Sequence, residues 1–183
     1  LDELLGVLKE IEFLIKTGDL DLASKKIFIA SRIDNQNKKV KLTELKINTL
    51  IKERDIKKSL SLGFKFLEQE KFEIALSSFQ SVIKLDATSK AAFLGIEEAK
   101  KGLKKQKILE LRITAIGLQE KEEWQGSLET YDQILKLDRN IEFAKKDRDR
   151  VQTMIVLHQQ LDRVLSKPER LSSKAVFEEA MGI

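Results

Sequence analysis

His158 is the single imidazole of the chain, set in the run Leu157-His158-Gln159-Gln160 with no cysteine anywhere to share a metal. A zinc site needs three or four N, S or O ligands brought to one point, so His158 reads as an ordinary polar position on a helix. Carboxylate pairs at Glu97-Glu98, Glu122-Glu123 and Glu178-Glu179 are the next candidates for acid–base work. Adjacent residues on a helix point about 100° apart, so these pairs diverge and read as solvated faces. The eight glycines are scattered singly, and no phosphate loop, nucleophile elbow or His-Glu-x-x-His motif is present. No catalytic, cofactor-binding or metal-ligating residue is assigned, and the chain is expected to act without catalysis.

Positive charge offers a more substantial candidate. Lys100, Lys101, Lys104, Lys105 and Lys107 crowd one stretch and form a candidate partner-binding patch for phosphate or acidic lipid. A second group, Lys145, Lys146, Arg148 and Arg150, is interrupted by Asp147 and Asp149. No aromatic residue lies among the lysines to stack on a base, and 34 basic residues against 30 acidic ones leave a net charge of only +4. A dedicated nucleic-acid binder carries a larger excess. A protein or peptide partner fits better, with membrane contact assigned only to a segment outside this chain. Long amphipathic helices also leave pairing between copies open.

Which elements hold these residues follows from composition and spacing. With 35% charged residues, 42% hydrophobic ones and a single proline, the chain is rich in helix formers and poor in breakers. No run approaches the roughly 20 apolar residues of a membrane span. The absence of cysteine suits a reducing or an oxidising compartment equally. Compared with itself, the chain shows a period of 52 residues: Leu20, Phe72 and Trp124 correspond, then Ala23, Ala75 and Ser127, then Ile27, Phe79 and Tyr131, then Ala30, Val82 and Ile134. Each series ends on Asp34, Asp86 or Asp138. Within the middle unit, Phe72, Ala75, Leu76, Phe79, Val82 and Ile83 keep the i, i+3, i+4, i+7 spacing of one helical face. Leu60, Phe64 and Leu67 precede them at helical spacing, and Glu68 to Lys71 marks the turn of a hairpin.

Leu62-Gly63, Phe66, Ala75 and Phe79 sit at the spacing of the tetratricopeptide pattern, and the middle unit resembles that family, differing from it at Ser59 and Ala87. The resemblance implies stacked helical hairpins whose successive grooves present polar side chains to a peptide. Tetratricopeptides repeat every 34 residues, so the 18 further residues of each unit here are placed in long helices. These are read over Gln36 to Glu70, Thr88 to Lys121 and Asn140 to Leu165, with each short helix shared between the end of one long helix and the start of the next.

The expected fold is therefore all-α: an elongated α-solenoid of tetratricopeptide-like helical hairpins with alternating long and short helices. It forms a single helical repeat domain over 1–183, in units of about 1–34, 35–86, 87–138 and a partial 139–183. Ser166 to Glu169 has a capping-box spacing with Pro168 in the first turn, and a last short helix is expected around Val176, Phe177 and Ala180. The run from Pro168 to Ala180 also resembles a stretch of Gram-negative envelope proteins in which a helical repeat region follows a membrane anchor. That resemblance implies an anchor before Leu1, a further domain after Ile183 and an envelope location, with a cytoplasmic one as the alternative. The leading functional reading is a protein–protein interaction scaffold; a structural spacer and a basic-patch binder of nucleic acid or anionic membrane follow it.

Overall fold

The structure, a computed structural model, describes residues 2–166 together with Glu178 and Met181. Lys167, Pro168 and Glu169, and the last helix expected around Val176, Phe177 and Ala180, lie outside the described residues. Residues 2–166 form seven α-helices: α1 (Asp2–Thr17), α2 (Leu20–Ile33), α3 (Lys38–Glu68), α4 (Phe72–Leu85), α5 (Lys90–Glu120), α6 (Trp124–Leu137) and α7 (Glu142–Leu165). The protein is all-α among the described residues, and its helix packing is consistent with a repeat. Helices α2, α4 and α6 have 14 residues each, whereas α3 and α5 have 31.

The turns show how the chain reverses. Gly18, Glu70 and Glu122 adopt left-handed backbone with φ of 85°, 56° and 61°. The next N–H, of Asp19, Lys71 or Glu123, donates to the carbonyl of Leu14, Phe66 or Leu118 at 3.0, 2.9 and 2.9 Å. This satisfies a carbonyl that the ending helix would otherwise leave bare. Glycine adopts such a φ freely, while each glutamate gives up about 1 kcal/mol to do so. At the far end of each short helix Asp34, Asp86 and Asp138 are extended, and their N–H groups close the last helical turn onto Ala30, Val82 and Ile134. Their carboxylates accept from the backbone N–H of Gln36, Thr88 and Asn140 at 3.1, 3.0 and 3.0 Å. An aspartate holding the N–H two residues on is a stable way out of a helix.

The chain divides into two compact units, Leu1–Gly102 and Leu103–Ile183, with the division inside α5. Unit 1 has two cores. In the first, Leu4, Leu8, Ile11 and Leu14 of α1 meet Ala23, Ile27 and Ala30 of α2 and Val40 and Ile47 of α3. In the second, Ala75, Phe79 and Val82 of α4 pack between Ile56, Leu60, Phe66 and Leu67 late in α3 and Ala92, Ile96 and Ala99 early in α5. Unit 2 has one core, where Leu128, Tyr131 and Ile134 of α6 lie between Ile108, Leu111 and Ala115 of α5 and Ala144 and Val151 of α7. In the α4 and α6 cores the short helix is flanked by the end of one helix and the beginning of the next, whereas in the first core α2 lies against the whole length of α1 and the beginning of α3.

Two glycines make the second core of unit 1. Phe79 is fully buried, and a Cβ on Gly63 would come within 2.6 Å of its ring. A Cβ on Gly95, across the ring on α5, would collide with it as well. Gly102 gives the same room to Phe72. Phe64 completes the cluster with its ring edge-on to Phe79, centroids 5.0 Å apart, the geometry that the ring quadrupole favours.

Candidate interaction surface

The lysine patch lies on α5. Lys100, Lys101, Lys104, Lys105 and Lys107 are all exposed; the first two belong to unit 1 and the other three to unit 2. Lys104 Nζ is 2.8 Å from Asp138 Oδ2, and Lys107 Nζ is 3.3 Å from Glu110 Oε2. The Lys104 ammonium, with the N–H of Asn140, holds the Asp138 carboxyl below the usual carboxylate range. Part of the charge seen in the sequence is thus spent tying α5 to the end of α6.

The second basic group is matched more fully. Arg148 Nε donates to Asp132 Oδ1 at 2.6 Å, joining α7 to α6 and raising the Arg148 pKa further above its ordinary value. Arg150 donates to Gln119 Oε1 at 2.8 Å and lies 3.4 Å from Asp147, while Lys145 pairs with Glu142. Such solvent-exposed pairs are screened and add little to stability. Arg148 and Arg150 reach across to α6 and α5, while the Lys145–Glu142 and Arg150–Asp147 pairs stay within α7.

Unit 2 also holds polar contacts that periodicity alone does not reveal. Ser127 Oγ donates to the backbone oxygen of Ala115 at 3.0 Å, and Gln119 Nε2 donates to Tyr131 Oη at 2.9 Å. Burial pushes the Tyr131 phenol pKa up, with the Gln119 contact opposing it. Trp124 Nε1 donates to His158 Nε2 at 3.1 Å, the ring centroids 5.6 Å apart. The lone imidazole, read from the sequence as an ordinary polar position, therefore serves as the acceptor that lets an indole N–H sit at the edge of a core. The only available signal was that both residue types occur once. No group of three or more His, Cys, Asp or Glu side chains suited to a metal occurs among the described residues. No helix among them is long and apolar enough to cross a membrane.

The most exposed large apolar side chains were not singled out by sequence. Phe13, Phe28, Leu45 and Leu94 in unit 1 are each more than half exposed, as are Leu109, Ile113, Leu161 and Leu165 in unit 2. Each sits on a helix whose opposite side already lines a core. In unit 1 these side chains lie one to a helix, as is ordinary on protein surfaces, whereas in unit 2 Leu109 and Ile113 on α5, and Leu161 and Leu165 on α7, lie one helical turn apart. Comparison with family models, curated proteins and solved structures finds no match to this chain.

Proposed function

We propose that the chain is a non-catalytic protein–protein interaction scaffold, built as a solenoid of tetratricopeptide-like hairpins on a 52-residue period. The observation that supports this reading is the threefold return of one hairpin design. The left-handed residue at Gly18, Glu70 and Glu122 and the aspartate turn at Asp34, Asp86 and Asp138 recur at the same interval. A chain that repeats one supersecondary unit gains surface in proportion to the number of units, and such proteins use that surface for docking. The exposed apolar side chains of the outward faces supply the contact area. Binding of a purified partner should be lost when Phe28 and Leu94 are changed to glutamate, with the helical circular dichroism kept. Unaltered affinity in the folded double variant would remove these faces from the proposal.

A spacer function is the second reading, favoured by α3, a continuous 31-residue helix that lines both cores of unit 1. At 1.5 Å per residue such a helix is about 46 Å long. Inserting two glycines near Arg54, between the two cores, should abolish function in a spacer while leaving partner affinity in place. The opposite pattern would point to the scaffold.

A further inference from the structure

The outward side of α5 in unit 2 carries Leu109, Ile113 and Ile116, at 57%, 64% and 41% exposure. Their i, i+4, i+7 spacing puts them on one stripe. Ile113 is about 200° around the helix from Ala115, which is buried in the unit 2 core with Ile108 and Leu111 nearby. This segment is therefore apolar on both sides, a pattern that a helix in water adopts when both sides are covered. The fold does not demand it. At the corresponding positions of α3, 52 residues earlier, stand Lys57, Ser61 and Phe64, and Phe64 is occupied against Phe79.

The ends of the stripe say what covers it. Lys105 lies one turn before Leu109 and Glu120 one turn after Ile116; both are exposed, and neither has an ion pair within the chain among the described residues. Turned end for end about a point between Arg112 and Ile113, the stripe complements itself. Lys105 then faces Glu120 of a second copy, Leu109 faces its Ile116, and the two Ile113 side chains meet at the centre. Gly117 borders the stripe with nothing within 4 Å of where a Cβ would stand, which permits close approach of a second helix. We propose that α5 of unit 2 pairs antiparallel with α5 of a second copy, giving a two-fold homodimer. A two-fold contact requires one patch that matches itself, and oppositely charged ends on an apolar stripe meet that condition. This inference goes beyond the scaffold reading and stands without it.

Sedimentation equilibrium on the full chain should give twice the 21.0 kDa chain mass. Ile113→Glu should give a monomer with unchanged circular dichroism and Trp124 fluorescence, since the side chain touches no core. Lys105→Glu or Glu120→Lys alone should weaken the dimer several-fold by setting like charges opposite each other, and the two together should restore it. The chain has no cysteine, so single cysteines report geometry directly. Ile113→Cys should form a disulfide-linked dimer. Lys105→Cys should not, because an antiparallel pair holds its two copies of that position about 20 Å apart, beyond disulfide reach. A chain that stays monomeric at the highest attainable concentration overturns the proposal and leaves the stripe to a different protein. So does a dimer that survives Ile113→Glu, a double charge exchange that fails to restore association, or cross-linking of Lys105→Cys as ready as that of Ile113→Cys.

Discussion

The α4 core of unit 1 and the α6 core of unit 2 place the same backbone frame around opposite chemistries. In the first, Phe79 is held between Gly63 and Gly95, with Ala75 beside it and Leu67 packed on the cluster. In the second, the residues 52 positions later are Tyr131, Ala115, Asp147, Ser127 and Gln119. Tyr131 receives a hydrogen bond from Gln119, and Ser127 donates one to Ala115. Helix approach is set by missing side chains in one core and by polar contacts in the other. The frame therefore depends on where the turns fall more than on which atoms fill the middle.

Truncation is the strongest way to break this comparison. Phe79→Ala leaves a cavity with glycine on two sides and nothing to close it, at a cost of about 3–5 kcal/mol; urea denaturation followed by circular dichroism should show the fall. Exchanging the two centres tests the chemistry itself. Phe79→Tyr brings a hydroxyl to a core with Leu67 where the other has Gln119, and should cost about 1–3 kcal/mol. The reciprocal Tyr131→Phe should cost about 1 kcal/mol, because Gln119 keeps its contacts to Ala115 and Arg150. Equal losses in the two variants would show that the hydroxyl does not distinguish the cores.

The glycines come next. Gly95→Ala should lower stability by about 1–3 kcal/mol through overpacking against Phe79, despite the better helix propensity of alanine. Ala115→Gly, at the unit 2 position equivalent to Gly63, should cost about 1–2 kcal/mol from backbone freedom and the lost burial of its methyl. Chemical denaturation of both variants checks the pair, and a neutral Gly95→Ala would mean that Phe79 is free to shift.

Acid sensitivity separates the two units least and most subtly. Hydrogen bonds from Thr88 hold the Asp86 carboxyl below its usual range, while Lys104 chiefly does so for Asp138. Each group binds fewer protons in the folded chain than in the unfolded one. The stability it adds is therefore complete above the ordinary carboxylate range and is lost as the pH falls through the lowered folded value. Asp138→Asn should flatten that limb at low salt and less at high salt, because an ion pair is screened. Asp86→Asn should flatten it with little dependence on salt. Thermal melts across pH at two ionic strengths would show the contrast, and identical salt responses would sink it.

Most of the helical frame was legible in the sequence. The 52-residue correspondence aligned Leu20, Phe72 and Trp124, which are the first residues of α2, α4 and α6. The long segments expected over Gln36 to Glu70 and Thr88 to Lys121 exceed α3 and α5 by one or two residues at each end. Those extra residues belong to the turns, whose left-handed glutamates carry no compositional mark. Gly63 was visible within the tetratricopeptide spacing, but Gly95 across the same ring was not, since a period indicates which side faces inward and not which ring arrives there. The Trp124–His158 contact spans 34 residues, beyond any local rule. The lysine patch was visible as charge, whereas its partial neutralisation by Asp138 depends on a tertiary turn.

The left-handed residue at each hairpin sets a limit on how this chain can change length. One residue added at Gly18, Glu70 or Glu122 would break the bond from the following N–H to the carbonyl of Leu14, Phe66 or Leu118 and leave that carbonyl without its partner. A single inserted residue at any of these corners should therefore destabilise its hairpin, even where the side chain it adds meets only solvent.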